Sequence, residues 1–345
     1  MEYKKFGNTG LDLPGIVFGT SALGNLYEAL PIKTKYTIVE EMFGNLEGQV
    51  VLDSAGKYGA GLALEVMGES FRHLAIDSDR VIVSNKLGWL RTDLKTPEPT
   101  FEPGAWVDLK HDAVQKISYD GIMECWEQGC NILGRGYSPQ LVSVHDPDEY
   151  IARGSSNLEK RKLISDVVMA YRALHELKQQ GIVKGVGIGA KDWNIIRMLD
   201  RFVDLDWVMF ANSYTILRHP PELLEFMSEL TAKNAGIINS AVFHAGFLTG
   251  GKYFDYVVIQ PDTEENKELF RWREVFFSLC KEFNILPAAA CVQFALQPAG
   301  VSAVSLNTTN PARVKQNIDL VQSSIPPEFW DAMKKNNLID KDLPF

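Results

Sequence analysis

A chain of 345 residues, 46% hydrophobic and 23% charged, has enough apolar material for a sizeable core and the right length for one α/β barrel with insertions. A formal charge of -9, with no Lys/Arg cluster, excludes nucleic acid and anionic membrane as expected partners. The polar start Met1-Glu2-Tyr3-Lys4-Lys5, the lack of a bilayer-length apolar run and a count of only four cysteines lead us to expect a reduced cytoplasmic protein, without secretory signal, membrane span or disulfide framework.

Short apolar, β-branched runs recur along the chain, each followed by an amphipathic stretch. In order they are Ile16 to Gly19, Val50 to Asp53, Val81 to Ser84, Leu141 to His145, Val183 to Ile188, Trp207 to Ala211, Gly236 to Asn239 and Val301 to Leu306. Helical spacing predicts elements at Tyr36 to Leu46, Leu64 to Leu74, Ser118 to Leu133, Leu163 to Gln180 and Val314 to Val321. Gly181 is the expected C-cap of the fourth, and Asp192 the N-cap of a further helix through Leu199. Pro220 and Pro221 open another, and Asn310-Pro311 the last, where a missing N–H costs nothing. Cys125 and Cys130 read as small helix residues, since their spacing is not that of a zinc knuckle.

Eight strand–helix units predict a parallel sheet, and closure into a (β/α)8 TIM barrel of one domain over residues 1–345 is the natural solution. A doubly wound open sheet is the rival, but the first strand-to-helix turn has no G-x-G-x-x-G. The run Gly185-Val186-Gly187-Ile188-Gly189 has the wrong spacing for that fingerprint and lies within a strand. Long insertions follow the third strand, Trp89 to Asp112, and the seventh, Lys252 to Asn266. In a barrel such loops surround the mouth of the active site.

The barrel places Asp53, Tyr58, Lys86 and His145 at or just beyond three successive strand ends. Three of them have a structural explanation: Asp53 as a turn cap, Tyr58 as a half-buried aromatic and Lys86 as a solvated strand end. The coincidence of all four at one rim favours proton transfer at a carbonyl oxygen. A free tyrosine titrates near pH ~10, and a nearby ammonium stabilises its phenolate. Tyr58 would be the general acid/base, Lys86 its electrostatic partner, Asp53 the anchor of Lys86, and His145 the donor that orients the substrate oxygen.

The stretch Val51-Leu52-Asp53-Ser54-Ala55-Gly56-Lys57-Tyr58-Gly59, with Glu65 and Gly68 after it, resembles the D-T-A-x-x-Y-G pattern of the aldo-keto reductase superfamily. Ser84-Asn85-Lys86 and Val144-His145-Asp146 resemble that family's strand-ending Lys and His, and Phe6 to Leu11 and Gly19 to Gly24 resemble its opening hairpin and first strand. The runs Lys86 to Trp89, Ile117 to Ile122 and Val144 to Asp148 are similar to the branch of aldose, L-fucose and L-galactose dehydrogenases, which includes a pyridoxal dehydrogenase. The resemblance implies an NADP- or NAD-dependent oxidoreductase acting on a sugar or other small aldehyde, in that branch at the anomeric carbon. It implies cofactor contacts at Gly19, Thr20, Asn212, Phe243, Gly246, Leu248, Asn307, Thr308, Arg313 and Asn317.

The sequence departs from the family where the nicotinamide is held. Gly189-Ala190 stand for Ser-Asn, and Ser240 for a stacking aromatic that Tyr214 or Phe243 would replace. Asn307 stands where a Lys is common, which leaves NAD and NADP both open. Tyr27, Trp89, Phe101 and Trp106 are candidate substrate contacts, because aromatic faces suit sugar rings; Trp193 and Trp207 belong rather to the core. Two other functions compete: a nucleotide-binding regulatory barrel with little turnover, and a metal-dependent barrel using His145, Asp146 and Asp148. The intact four-residue set weighs against the first, and a single His is thin for a transition metal. A carbonyl reductase for a non-sugar substrate is a variant of the main reading, and oligomeric state stays open.

Overall fold

The computed structural model describes residues 1–255, 257–261 and 263–344. The chain opens with a small antiparallel ribbon, β1 (Tyr3–Lys5) and β2 (Asp12–Pro14), followed by β3 (Ile16–Gly19), α1 (Ile32–Gly44), β4 (Val50–Ala55), α2 (Leu62–His73) and β5 (Val81–Leu87). Next come β6 (Trp89–Asp93), β7 (His111–Gln115), α3 (Tyr119–Leu133), β8 (Leu141–His145), α4 (Pro147–Ala152), α5 (Asn157–Gln179), β9 (Gly185–Ala190), α6 (Trp193–Leu199) and β10 (Trp207–Ala211). The remainder is α7 (Pro221–Ala232), β11 (Gly236–Ser240), β12 (Tyr253–Phe254), β13 (Val257–Val258), α8 (Lys267–Glu282), α9 (Pro287–Leu296), β14 (Val301–Leu306), α10 (Ala312–Gln322) and α11 (Pro327–Lys335).

Strands β3, β4, β5, β8, β9, β10, β11 and β14 form a closed barrel in which every pairing is parallel. These are the eight strands expected from sequence. Parallel strands are covered on both faces, so each reads as a near-continuous apolar run. One face packs against the helices, as where Val167, Tyr171, Leu174 and Leu177 of α5 meet Val142 and Ile188. Each such fully buried side chain stabilises by about 1.5–3 kcal/mol. The other face fills the lumen with Val17, Val51, Ile82, Leu141, Trp207 and Ile238, and the β1–β2 ribbon closes the bottom with Phe6 and Leu13.

The glycine-rich β9 has a packing explanation. A Cβ on Gly187 would lie 2.2 Å from the Trp207 indole, and one on Gly189 would lie 3.3 Å from Cδ of Lys86. Alternate residues of a strand share a face, so the bare inward face of β9 admits an indole below and a lysine stem above.

Three expectations change in detail. Helix α5 begins at Asn157 rather than Leu163, because Ser156 accepts from the Glu159 amide at 3.2 Å while Glu159 Oε2 accepts from the Ser155 amide at 2.8 Å. The segment after His145, to which the sequence assigned no element, is the short helix α4, with Pro147 in its first turn. The insertion after the third barrel strand contains an antiparallel ribbon, β6 with β7, in register from Trp89↔Gln115 to Asp93↔His111. The second insertion carries β12 and β13; its residues Tyr256 and Asp262 lie outside those described. Among the described residues no single helix is long and apolar enough to cross a membrane.

Candidate active site

Parallel register brings the rim residues together: Ala55 lies opposite Lys86, Lys86 opposite Ser143, and His145 opposite Gly189. The Lys86 ammonium is ion-paired to Asp53 Oδ2, and Asp53 Oδ1 accepts from Ser84 Oγ at 2.9 Å. Lys86 Nζ lies 4.9 Å from the centre of the Tyr58 ring, whose other neighbours are His145, edge-on at 5.6 Å, and Trp106 at 5.8 Å. Asp53, Tyr58, Lys86 and His145 all line one cleft of about 650 Å³ at the C-terminal mouth of the barrel.

Burial and charge act against each other here. Burial pushes the Tyr58 phenol above its ordinary value; the Lys86 ammonium pulls it down and the Asp53 carboxylate pushes it up again. The pull from Lys86 is the one expected from sequence, but desolvation outweighs it. Burial would strip Lys86 of its proton, yet Asp53 and Tyr58 more than compensate and hold it above its ordinary value. Burial, then the cations Lys57 and Lys86, drive His145 well below its ordinary value. The result is a charged lysine and a neutral imidazole beside a protonated phenol.

The expected cofactor residues divide. Gly19, Phe243, Gly246 and Asn307 line the cleft, and Asn307 Nδ2 donates to Ser21 Oγ at 2.7 Å. Thr20 does not face it: fully buried, it donates through its hydroxyl to the Asp53 carbonyl at 2.9 Å and so ties β3 to β4. Leu248 is fully buried in the hydrophobic core behind the rim. Thr308 shares a local turn with Asn310. Arg313 is exposed on the first turn of α10, and Asn317 lies one turn further on. The substrate candidates divide likewise. Tyr27 and Trp106 line the cleft, and Tyr27 stacks on Tyr253 of the second insertion at 6.2 Å. Trp89 and Phe101 pack against each other behind it at 5.7 Å, outside the lining. Tyr214 is removed as a nicotinamide platform, because its buried ring is stacked on Phe294 at 5.3 Å in the outer core.

Several residues of the site carried no sequence signal. Lys57, one position before Tyr58, is buried, with Glu102 at 2.7 Å, Asp146 at 3.1 Å and Glu149 at 3.3 Å. Glu102 also accepts from the Trp106 indole at 2.7 Å. Asp146 and Asp148 are engaged differently from metal ligands: Asp146 Oδ2 takes Lys57, and Asp148 Oδ2 takes the backbone amides of Lys191 and Asp192. Among the described residues no three His, Cys, Asp or Glu side chains are grouped to hold a metal ion.

One part of the cleft fits a nicotinamide dinucleotide. It is lined by the small residues Gly189, Ala190, Ala211, Ser240, Ala241 and Gly246, among larger ones, and they let a flat ring and a pyrophosphate approach the backbone. Gly246 has φ +92. Next to Ala211, the buried Asn212 Oδ1 has no hydrogen-bond partner, an acceptor of the kind a carboxamide N–H satisfies.

The model of the Aldo/keto reductase family matches residues 15–337. The chain belongs to that family, whose members are nicotinamide-dependent oxidoreductases. It is similar to pyridoxal 4-dehydrogenase of Microbacterium luteolum, at 28% identity over 98% of both chains. It is also similar to D-threo-aldose 1-dehydrogenase of a Pseudomonas species, at 27% over 96% of both, and to L-galactose dehydrogenase of Arabidopsis thaliana, at 22% over 93% of this chain and 88% of that one. Among solved structures, an aldo-keto reductase of Bacillus halodurans in its holo form shares the fold, with TM-score 0.71 and 18% identity over 99% of this chain and 97% of that chain. The protein is therefore an oxidoreductase of this family with aldose-dehydrogenase-like relatives.

Proposed function

We propose that the protein is an NAD(P)-dependent dehydrogenase of the aldose 1-dehydrogenase type, with Tyr58 as acid/base. The observation that carries this reading is the convergence on the Tyr58 phenol of a charged, Asp53-anchored lysine and an edge-on neutral histidine, inside one cleft.

When bound, the nicotinamide supplies the hydride acceptor for oxidation or the donor for reduction. The protein's own part is proton and charge management. In the oxidative direction Tyr58 takes the proton of the anomeric hydroxyl, and Lys86 stabilises the phenolate that must exist beforehand. Asp53 keeps Lys86 charged and in place. His145, neutral, has a ring N–H to donate to the reacting oxygen and no charge of its own to compete with Lys86. Asn212 would hold the carboxamide, Phe243 and Gly246 the nicotinamide and pyrophosphate side, and Asn307, Thr308, Arg313 and Asn317 the adenosine end. Arg313 can pair a 2′-phosphate or stack on adenine, so both NAD and NADP are substrates of the first assay.

The cleft is also lined by Trp106 and Tyr27, which offer aromatic faces, and by Glu102 and Asp146, which offer carboxylates. That mixture supports a polyhydroxylated ring, since carboxylates accept hydroxyl protons and aromatic faces cover C–H surfaces. The relatives' names add pyridoxal, D-threo-aldoses and L-galactose to the candidates. The test is absorbance at the reduced-nicotinamide band with NAD or NADP and L-fucose, L-galactose, D-arabinose or pyridoxal. The band should grow with one of them. A flat trace with both cofactors and all four, in protein that binds cofactor, contradicts the proposal.

A further inference from the structure

The buried Lys57 is a charged side chain in the cleft for which the chemistry above has no use. Its ammonium has three donors, and three carboxylates surround it: Glu102 from the first insertion, Asp146 just past β8, and Glu149 of α4. The contact with Asp146 is through Oδ2, and this same oxygen lies 3.5 Å from His145 Nε2. A carboxylate so close to a buried imidazole ordinarily draws a proton onto it. Here the lysine claims that oxygen first. Asp146 adopts the left-handed backbone conformation, φ +46, which Asp tolerates better than most residues.

We propose that Lys57 is a positioning residue of the reaction: by holding Asp146 through the oxygen nearest His145, it keeps His145 an uncharged hydrogen-bond donor at the substrate. The reaction in which His145 takes part is the one proposed above, and the inference rests on it to that extent. The other groups facing the imidazole are known. Tyr58 meets it edge-on, and Lys86, backed by Asp53, adds a second cation. Glu149 draws a proton toward it and Lys191 opposes one, while Lys191 is itself paired to Glu149 at 2.6 Å. Glu102 is paired to Lys57 at 2.7 Å. Removing the Lys57 charge leaves the carboxylates around it under-compensated and tips the balance toward imidazolium. The burial and the cationic neighbours of His145, with Lys57 first among them, act in the same direction.

The experiment is a pH titration of the full-length protein labelled with 13Cε1-histidine, followed by NMR, with His145→Gln identifying the signal among six histidines. In the unsubstituted protein the His145 signal should stay flat from about pH 5 to 8, around the ordinary histidine value. In Lys57→Met it should titrate within that window. Lys57→Arg should restore the flat response, and so should the double variant Lys57→Met/Asp146→Asn, which removes the carboxylate as well. Should Lys57→Met not fold, Lys57→Gln reads the same quantity. A flat signal in folded Lys57→Met, or a titrating signal in the unsubstituted protein, overturns the proposal.

The companion measurement is the pH profile of kcat/KM. Lys57→Met should lose kcat/KM from pH 8 to pH 6 by the factor that its His145 midpoint dictates, about tenfold for a midpoint near pH 7, and Lys57→Arg should not. If no substrate turns over but the NMR result holds, the proposed function fails and the control of His145 by Lys57 stands. If turnover occurs and the Lys57→Met profile parallels the unsubstituted one, the inference fails and the function stands.

Discussion

Replacing Lys86 by Met removes half of an ion pair whose side chains are only 5% and 3% exposed. Deleting one partner of a buried pair leaves the other charge uncompensated, at a cost of about 3–5 kcal/mol. Asp53 keeps its bond from Ser84, which places Lys86→Met at the lower end, about 3 kcal/mol. Asp53→Asn preserves shape but strands the Lys86 ammonium, and a similar loss is expected. The double variant Lys86→Met/Asp53→Asn buries no charge at this point, so its loss should fall below the sum of the two by at least about 2 kcal/mol. The pair raises the Lys86 pKa above its ordinary value. Its contribution is therefore complete below the unfolded lysine value and is lost only as pH rises beyond it, so a cycle run at pH 7 reads the full coupling. Urea unfolding followed by the fluorescence of the seven tryptophans gives each corner, provided the denaturant slope is constant. Activity should behave differently. All three variants lose the ammonium or its anchor, and each should fall by at least about 10²-fold in kcat. Additive stability losses, or a double variant that regains turnover with stability, would refute the assignment of Lys86 and Asp53 as one electrostatic unit serving Tyr58.

Two further outcomes follow from packing and charge. Gly187→Ala should destabilise by about 1–3 kcal/mol, the usual cost of overpacking, because its Cβ would sit 2.2 Å from the Trp207 indole. Trp207→Leu in the same chain should recover part of that loss, and a melting temperature for Gly187→Ala equal to that of the unsubstituted protein would contradict the packing argument. Arg313→Ala should weaken NADP by about tenfold, the worth of one charge-assisted contact, and NAD much less. Equal weakening of both in a fluorescence titration would move Arg313 from the 2′-phosphate to the adenine ring.

The barrel was legible because each strand reads as a short apolar, β-branched run and each strand end is followed by a polar or small residue. The four rim residues were legible for the same reason: a barrel strand end is a defined place. Helix α9 was not, since Ala289, Ala290, Cys291, Val292, Phe294 and Ala295 are all buried and leave no amphipathic stripe to find. The first turns of α5 are polar and exposed, so only the Ser156–Glu159 capping pair marks them. The β6–β7 ribbon sits in a Pro- and aromatic-rich insertion that reads as loop. Within the site, orientation was what sequence could not supply. Thr20, Leu248, Trp89 and Tyr214 lie near the rim in the chain but turn away from the cleft, and nothing in their spacing says so. Lys57 draws its partners from residues 45, 89 and 92 positions away, a relation set by the fold alone.

The central claim is that the Tyr58 phenol carries the proton. Tyr58→Phe removes one oxygen and keeps a ring already held by Trp106 and His145. With the sugar or aldehyde that raises the reduced-nicotinamide band in the unsubstituted protein, the variant should lose about 10²–10⁴-fold in kcat, while its cofactor dissociation constant stays within about twofold, no cofactor contact having been removed. Turnover by Tyr58→Phe at the unsubstituted rate would contradict the account.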